Sequence, residues 1–393
     1  MNTNEEFIPE RTFLSEAVDF SNVDIVCFSH IRWDLNYQRP QHLLSRFAKS
    51  NQLFFIEEPL YDALEHQTLQ VNSKDDNIWI IVPHLLIGSG GKEAIDAQKE
   101  LLDKFFFEYK LEDYIFWYYT PLALSFSTHY SPLLIIYDCV NNWSASIVRD
   151  NLKLFEAKLF DDSDIIFTGG NSLFEANKNK YANIYSFPGS IDKAHFASAR
   201  VILEEGEDQK SIPHPILGYF GTIDERFDLE LVRKIAALRP LWQLVLIGPV
   251  LNIDKDSFPI MENIHFLGSK AYEDLPKYIS TWDIALIPFL LNNATKFICP
   301  GKATEYLAAG KPVISTPISN IVDSFGKNGL IHIAQTAEEF IKAAELEFDQ
   351  KRGNDLWFSS VDDFLLGNSW DKTWAKMNDL IKIAFQSKFS SLK

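Results

Sequence analysis

Cysteine, positive charge and long apolar runs are all scarce in this sequence, and each scarcity excludes a class of protein. The three cysteines, at positions 27, 139 and 299, have neither the spacing of a zinc site nor that of a disulfide framework, so we expect buried thiols in a reducing cytoplasm. No segment approaches the roughly 20 apolar residues that span a bilayer, and residues 1–22 lack the apolar core of a signal peptide. We therefore expect a cytoplasmic protein without a transmembrane helix or a metal site.

The charge balance excludes a further class of partner. With 54 acidic against 37 basic residues the net charge is −17, whereas a nucleic-acid backbone would require a broad basic face. A small anionic ligand needs only a local positive charge. The length of 393 residues and the hydrophobic content of 46% indicate a globular chain of two ordinary domains.

The clearest chemical pattern lies in residues 293–317, where a short helix is predicted between Pro300 and Gly310 and a buried strand follows. Lys302 and Glu305 are three residues apart, which places both on one face of the first turns of this helix. The lysine adds its charge to the free N–H groups and the partial positive charge of a helix N-terminus. The pair predicts a site in which the lysine binds a diphosphate and the glutamate accepts hydrogen bonds from ribose hydroxyls. An exposed Lys–Glu pair on an ordinary helix is the alternative.

Short apolar runs alternate with amphipathic segments through most of the chain, a pattern that predicts parallel sheets with connecting helices. Strands are predicted within 23–28, 53–59, 78–83, 114–121, 133–140, 162–170, 242–249 and 263–268 and at the start of 216–228, helices at 148–161, 172–181, 229–238, 337–348 and 369–385, and a helix followed by a strand at 274–289. The aromatic residues around 105–119 would suit a platform for sugars, but their strand positions favour the core.

This pattern divides the chain into two α/β domains. We expect an N-terminal extension at 1–22, a first domain at 23–200, an acidic linker at 201–215, a second domain at 216–368, and a C-terminal segment at 369–393 whose helix packs back on the first domain.

A glycine turn follows the first predicted strand of the second domain. Gly218 and Gly221 precede the helix predicted at 229–238, which is the position of glycine loops that hold a phosphate through backbone N–H groups. Arg226 in the same loop supplies a positive charge, and Gly248 ends the next strand. We take Gly221, Thr222, Arg226 and Gly248 as candidates for substrate binding, with Arg226 close to the same phosphates as the glycine turn.

The stretch 293–317 resembles the donor-binding segment of GT-B glycosyltransferases related to families 1 and 4, and most resembles bacterial enzymes often encoded near UDP-galactopyranose mutase. The matching residues are Asn293, Thr295, Pro300, Lys302, Glu305, Tyr306 and the run 307–313. The family-4 signature has a further glutamate eight residues before Glu305, where this chain has Phe297. In those enzymes that glutamate helps to hold the donor sugar, so the resemblance does not identify the sugar.

The same family carries a motif W-D-x-x-x-Q-R-P-Q-H after its first strand, and residues 33–42 match it. The resemblance implies that His30, Asp34 and Arg39 lie in the cleft, and we take them as catalytic candidates. A histidine that merely caps the end of a strand is the alternative for His30. Asp138, near the end of the strand predicted at 133–140, is a fourth candidate. The alternation of side chains along a strand does not decide on which face of the sheet Asp138 lies.

Relatives typically carry acidic residues where this chain has Asn141 and Asn142. An asparagine cannot take a proton from an acceptor hydroxyl, so a different group would have to do so.

The resemblance implies a GT-B fold: two facing Rossmann-like domains with parallel sheets and a C-terminal crossover helix. It implies a retaining, metal-independent glycosyltransferase that uses a nucleotide-sugar donor as substrate, with no cofactor. The acceptor would be a carbohydrate or a lipid-linked sugar in bacterial surface polysaccharide or cell-envelope biosynthesis. Asn141, Asn142 and Phe297 motivate an alternative, a non-catalytic nucleotide-sugar-binding scaffold. Nucleotide-sugar 2-epimerase chemistry on the same fold is a third hypothesis.

The C-terminal residues contain two patterns, one typical of helix packing and one of weak membrane attraction. Trp374, Met377 and Ile381 follow helical spacing, which favours a helix that packs on the first domain. For residues 389–393 we expect a weak peripheral attraction to the anionic inner face of the membrane, because Phe389 and the nearby lysines would have no core to join. Truncation after Gln386 would then leave stability nearly unchanged.

Overall fold

The computed structural model describes residues 20, 23–35, 37–140, 143, 150–202, 204–253, 258–292, 295, 301–349 and 355–390. Among the helices of these residues, we find none whose length and apolar character would let it cross a membrane.

The first sheet is built from buried apolar runs. Its strands are β1 Asp24–Ser29, β2 Leu53–Glu57, β3 Leu60–Ala63, β4 Thr68–Asp75, β5 Ile78–Leu86, β6 Tyr114–Tyr118, β7 Leu134–Cys139, β8 Ile165–Thr168 and β9 Ile184–Ser186. They lie in the order β3-β5-β2-β1-β6-β7-β8-β9, all parallel, and β4 pairs antiparallel with β5. The central strands are buried on both faces, as expected for a parallel sheet covered by helices.

The helices that follow these strands are α1 Arg39–Phe47, α2 Gly91–Glu108, α3 Leu124–Ser127, α4 Asp150–Asp162, α5 Asn171–Asn177 and α6 Lys193–Ala197. Three of the aromatic residues predicted for the core are indeed buried: Phe105 of α2, and Phe116 and Trp117 of β6. The hypothesis of an aromatic platform for sugars in this stretch is therefore wrong for these three side chains.

The second sheet has six strands in the described residues: β10 Ile216–Phe220, β11 Gln243–Ile247, β12 Ile264–Gly268, β13 Ile284–Ile287, β14 Val313–Ser315 and β15 His332–Ile333. They are parallel in the order β12-β11-β10-β13-β14-β15. The helices are α7 Leu229–Leu238, α8 Leu275–Ser280, α9 Gly301–Ala308, α10 Ser319–Ile321, α11 Ala337–Asp349, α12 Asp355–Leu365 and α13 Trp370–Ser390.

Strand order reverses beside the first strand of each sheet, between β1 and β6 and between β10 and β13. In open parallel sheets a crevice forms at such a switch point, outside the carboxyl ends of the strands. The loops that follow β1 and β10 are therefore the places where this fold can hold a ligand. The prediction of two Rossmann-like domains with parallel sheets is confirmed.

The chain enters the second domain earlier than predicted. Ile191, Phe196 and Ala199 are buried in the hydrophobic core that surrounds the second sheet. Within the stretch predicted as a free linker, Gln209 is buried and donates a hydrogen bond to the carbonyl of Tyr278 (2.9 Å). The predicted boundary at residue 200 and the linker at 201–215 are therefore wrong in this respect: apolar side chains before residue 200 already join the second core.

The long helix α13 returns to the first domain, as predicted. Met377, Ile381 and Phe385 are buried in the core of the first sheet. The expectation that Phe389 has no core to join is wrong, because its ring packs 4.7 Å from that of Phe385 and against the same core. Lys388 is also engaged, through an ion pair with Asp164 (2.7 Å).

Candidate functional site

The two switch points face each other across the space between the domains. His30 follows β1, and its ring lies edge-on to that of Trp143, with 4.8 Å between the centroids. Burial lowers the pKa of His30 to about 4; a hydrogen bond with the backbone of Tyr119 opposes this shift and the positive charge of Arg226 adds to it. Since Arg226 belongs to the loop after β10, His30 and Arg226 bring the two domains into electrostatic contact. At neutral pH His30 is uncharged.

Gly221, directly after β10, provides the space that a second cationic side chain occupies. Its φ of +137° lies in the region that favours glycine, and a Cβ atom there would overlap Cε of Lys302 and lie 2.7 Å from Nζ. Gly248, at φ +139°, is required for a similar reason, because a Cβ atom would collide with the carbonyl of Gly221. The glycines predicted at this site thus let the side chain of Lys302 lie across the loop after β10.

These glycines do not offer their own N–H groups to a phosphate. The N–H of Gly221 donates to the carbonyl of Ile247 (2.8 Å), and that of Gly248 donates to Gly268 (2.9 Å). The prediction that the glycine turn cradles a phosphate through backbone N–H groups is therefore wrong at Gly221.

Lys302 is positioned by α9 and by two aromatic rings. Its Nζ lies 5.7 Å from the ring centroid of Tyr219 and 5.9 Å from that of Phe289. The helix itself is attached to β10, because the hydroxyl of Tyr306 accepts a hydrogen bond from the N–H of Phe220 (2.9 Å). The ammonium group is thus held at the second switch point.

Glu305 lies one turn further along α9, on the same side as Lys302. Its side chain keeps some exposed surface, but the protein atoms around it displace enough water to raise the pKa of the carboxyl to about 7; the charge of Lys302 opposes this shift. Burial, and then the charge of Glu305, also raise the pKa of the Tyr272 phenol. Glu305 is thus a carboxyl group that gains or loses its proton near neutral pH.

Arg226 is held by a carboxylate that the pattern analysis does not identify. Its Nε donates to both oxygens of Asp224 (2.9 and 3.0 Å), and Nη2 donates to Oδ2 (2.5 Å). Burial alone would lower the pKa of Arg226, but its hydrogen bonds with Asp224 and the charge of that carboxylate raise it. Asp224 lies only two residues from Arg226, and nothing in its spacing distinguishes it from the other acidic residues of the loop.

The remaining donor-site candidates lie in the neighbouring loops. The carbonyl of Thr222 accepts a hydrogen bond from the Tyr219 hydroxyl (2.8 Å). The hydroxyl of Thr295 is buried; it donates to the carbonyl of Leu290 and accepts from the N–H of Asn292 (3.0 Å). Thr295 therefore orders its own loop, and the prediction that it contacts a ligand does not fit this geometry. Asn293, Pro300, Phe297, Asn141 and Asn142 lie outside the described residues.

Two of the four catalytic candidates form a buried ion pair with each other. Nε of Arg39 donates to both oxygens of Asp138 (3.1 and 3.0 Å), and Nη2 donates to Oδ1 (2.9 Å). Nη1 of Arg39 donates to the carbonyl of Phe187 (2.6 Å), and Asp138 has no exposed surface. The catalytic roles expected for Arg39 and Asp138 do not fit these contacts. The contacts attach α1 to β7 and to the residue that follows β9.

Asp34 lies on the surface rather than in the cleft. Its carboxylate pairs with Lys74 of β4 at 2.5 Å, and about two thirds of its side chain is exposed (69%). The carboxylate that orders this loop is Glu57, at the end of β2, which accepts from the N–H of Trp33 (2.8 Å) and pairs with Arg32 (2.6 Å). The catalytic role expected for Asp34 therefore does not fit, and of the four candidates only His30 faces Arg226.

Aromatic side chains join the domains beside this site. Tyr272, after β12, stacks on His195 with 4.3 Å between centroids and contacts Tyr37 at 4.9 Å. His42 of α1 stacks on Trp370 at 4.7 Å, and burial lowers its pKa to about 3. These residues come from four distant segments, so no local motif could have revealed their assembly.

Part of the chain resembles a known protein family. Residues 214–346 match the family model described as glycosyl transferases group 1. The matched span contains β10, α9 and the four residues Gly221, Arg226, Lys302 and Glu305. The second domain is therefore similar to group 1 glycosyl transferases over most of its length.

One curated relative is TuaH of Bacillus subtilis (strain 168), named as a candidate glycosyltransferase of teichuronic acid biosynthesis. It is 26% identical over 222 residues, which cover 51% of this chain and 54% of TuaH. The match thus spans about half the length of that relative.

Solved structures of similar shape cover nearly the whole chain. Sucrose-phosphate synthase from Thermosynechococcus elongatus has a TM-score of 0.71 at 13% identity, covering 93% of this chain and 100% of that one. HepE of Anabaena, solved with UDP and glucose, has a TM-score of 0.68 at 11% identity and covers 92% and 99%. A trehalose-6-phosphate synthase, OtsA, has a TM-score of 0.60 at 13% identity and covers 91% and 98%. The chain has the GT-B fold.

Proposed function

We propose that this protein is a glycosyltransferase that takes its sugar from a nucleotide-sugar donor. The observation that carries the proposal is the placement of Lys302 and Glu305 on one side of α9, against Gly221 at the second switch point. A nucleotide sugar contains a diphosphate joined to a ribose. A lysine can bind the diphosphate, and a carboxyl group one turn away can bind the hydroxyls of the ribose. The match of residues 214–346 to group 1 glycosyl transferases supports the same assignment.

The chemistry asks the protein to stabilise the charge of the departing nucleoside diphosphate. Lys302 and Arg226 would supply this stabilisation, with donors held in place before the reaction begins. Glu305 in its ionised form would accept hydrogen bonds from the ribose. His30 faces Arg226 from the first domain as an uncharged ring, and we assign it to the acceptor side of the cleft.

We further propose that transfer retains the configuration at the sugar carbon and does not use a metal ion. The resemblance to family 4 supports retention. Within the described residues no group of three or more His, Cys, Asp or Glu side chains could hold a metal ion. Two Asp-x-Asp triplets occur, at 162–164 and 254–256; Asp164 is engaged by Lys388, and 254–256 lie outside the described residues. A chelator therefore belongs in the test.

The acceptor that we propose is a carbohydrate or lipid-linked sugar of a bacterial surface polysaccharide, assembled in the cytoplasm at the inner face of the membrane. The similarity to TuaH over about half of its length supports this class. The contacts of Lys388 and Phe389 provide no anchor of the kind expected from the sequence, so we assign membrane proximity to the acceptor rather than to the end of the chain.

A non-catalytic donor-binding protein is the second candidate. It is favoured by the engagement of Asp34 and Asp138 in ion pairs, which leaves neither carboxylate available to an acceptor hydroxyl. The two candidates differ in one observable, the release of nucleoside diphosphate.

The experiment has two steps. Nucleotide sugars are first screened for thermal stabilisation of the protein, and the best donor is then incubated with lipid-linked and soluble acceptors while nucleoside diphosphate release is followed, with and without EDTA. We expect acceptor-dependent release that survives EDTA. Stabilisation without release under any acceptor would favour the binding protein, and loss of release in EDTA that Mn²⁺ or Mg²⁺ restores would contradict the metal-independent mechanism.

A further inference from the structure

Asp224 and Arg226 form a compact unit in the loop after β10. Asp224 is buried, with 6% of its surface exposed, whereas the side chain of Arg226 keeps 35%. Both Nε and Nη2 of the guanidinium donate to this carboxylate, and Oδ1 also accepts from the backbone N–H of Arg226 (3.0 Å). The carboxylate therefore fixes both the backbone and one edge of the side chain of the same residue.

The loop around this unit is itself rigidly attached. The N–H of Ile223 donates to the carbonyl of Pro249 (2.9 Å), and the carbonyl of Arg226 accepts from the N–H of Leu290 (2.8 Å). The backbone of Arg226 is therefore fixed, and the orientation of its guanidinium depends on the hydrogen bonds with Asp224.

Arg226 also lies close to the first domain, because its charge contributes to the lowered pKa of His30 across the cleft. Burial, and then the charge of Asp224, raise the pKa of Tyr219, whose ring Lys302 also faces. Both cations therefore lie near Tyr219, and Asp224 compensates the charge of Arg226 through a forked pair.

We propose that Asp224 is a positioning residue that aims the outer edge of the Arg226 guanidinium at the diphosphate of the donor, on the side that faces His30. This inference rests on the proposed function. Because Asp224 offsets the positive charge of Arg226, the main contribution of the arginine is directed N–H groups rather than net charge. Loss of Asp224 should then impair the reacting geometry more than it impairs donor binding.

The test compares Asp224→Asn, Arg226→Gln and their double variant with the wild-type protein. The control is Asp228→Ala, which removes the carboxylate that caps α7 at the N–H of Leu231 (2.8 Å) in the same loop. We measure kcat and KM for donor cleavage as release of nucleoside diphosphate, together with melting temperature. Asp224→Asn should lower kcat by about tenfold or more and change the donor KM by less than about threefold, since positive charge remains in the site. Asp228→Ala should lower the melting temperature and leave kcat unchanged.

The double variant distinguishes positioning from other roles. If Asp224 acts through Arg226, adding Asp224→Asn to Arg226→Gln should cause no further loss in kcat. Additive losses, a kcat of Asp224→Asn equal to that of wild type, or a kcat and KM that change in parallel would overturn the inference. Wild-type protein that binds donors without cleaving them would contradict the proposed function instead. Donor affinity of the same variants is then measured by calorimetric titration, where a larger loss in Asp224→Asn than in Arg226→Gln would contradict positioning, because a residue that acts through Arg226 cannot cost more than the loss of Arg226 itself.

Discussion

The unusual pKa of Glu305 should make donor binding depend on pH around neutrality. Burial raises this pKa from an ordinary value of 4.5 to about 7, against the opposing charge of Lys302. Ribose hydroxyls donate hydrogen bonds to an ionised carboxylate, so the form that binds the donor best is the one that has lost its proton. Donor affinity should therefore fall as the pH falls through 7.

The size of the effect follows from the ionised fraction. At pH 6, one unit below the pKa, about one carboxyl in eleven is ionised, so the affinity should be about tenfold lower than at high pH, or about 1.4 kcal/mol. In the free protein the same shift acts on stability with a defined sign. The folded state holds this proton to higher pH than the unfolded state, so the free energy of unfolding should decrease as the pH rises from about 4.5 to about 7, by up to about 3 kcal/mol.

The assay is calorimetric titration with an intact nucleotide sugar between pH 5.5 and 8.5 for wild type and Glu305→Gln. An intact donor is used because its diphosphate is esterified at both ends and lacks the second ionisation near pH 6 of a terminal phosphate. His30 and His42, with pKa values of about 4 and about 3, titrate below this range. Asp24, whose pKa burial and then Asp113 raise to about 6, is the first residue of β1, at the end of the strand away from the site, and is common to both proteins. Identical pH profiles in the two proteins would refute the assignment of the titration to Glu305.

Three further predictions concern glycine, the buried ion pair and the end of the chain. Gly221→Ala should lower both the melting temperature and donor affinity, because alanine is strained at this φ and its Cβ displaces Lys302; unchanged donor affinity would contradict the packing described. Asp138→Ala should cost about 3–5 kcal/mol of unfolding free energy in denaturant titration by leaving the Arg39 guanidinium buried without its partner, and a loss below about 1 kcal/mol would contradict the structural role. Truncation after Gln386 should cost about 1–2 kcal/mol, since it removes an ion pair and an aromatic contact with the first core. A truncated protein with wild-type stability and weaker sedimentation with anionic liposomes would restore the peripheral membrane hypothesis.

The parts of the fold that could be predicted are those with local signals. The helix α9 and the strand β14 follow from a glycine and a proline that end the one and precede the other, and Gly310 indeed adopts a φ of +75°. The helix predicted at 229–238 is α7, with the same bounds. In each of these elements, local residues in the sequence mark where the element begins or ends.

The elements that pattern analysis misses lack such signals. Strand β4 reads as a polar segment because only two of its eight side chains are even partly buried, and its strand character comes from pairing with β5. No helix is predicted from the sequence where α2 and α12 lie.

The site divides in the same way. Lys302 and Glu305 follow from their spacing on one helix, whereas the role of Asp138 depends on Arg39, which lies 99 residues earlier in the chain. Strand alternation could not decide whether Asp138 faces the cleft or the core, and only the packing of α1 against β7 answers that question. Asp224 and Arg226 are only two residues apart in sequence, but their hydrogen bonds become apparent only in the folded loop after β10.

The central claim is that Lys302 holds the diphosphate of a nucleotide sugar, and calorimetric titration of UDP, GDP and ADP into Lys302→Ala tests it most directly. The matched control is Lys104→Ala, a lysine of the first domain that lies near Glu108 on the exposed face of α2. We predict that the nucleotide preferred by the wild type binds Lys302→Ala more weakly by about 1.5–3 kcal/mol, the range for hydrogen bonds to charged groups, and binds Lys104→Ala normally. Equal affinity of wild type and Lys302→Ala for all three nucleotides would contradict the claim.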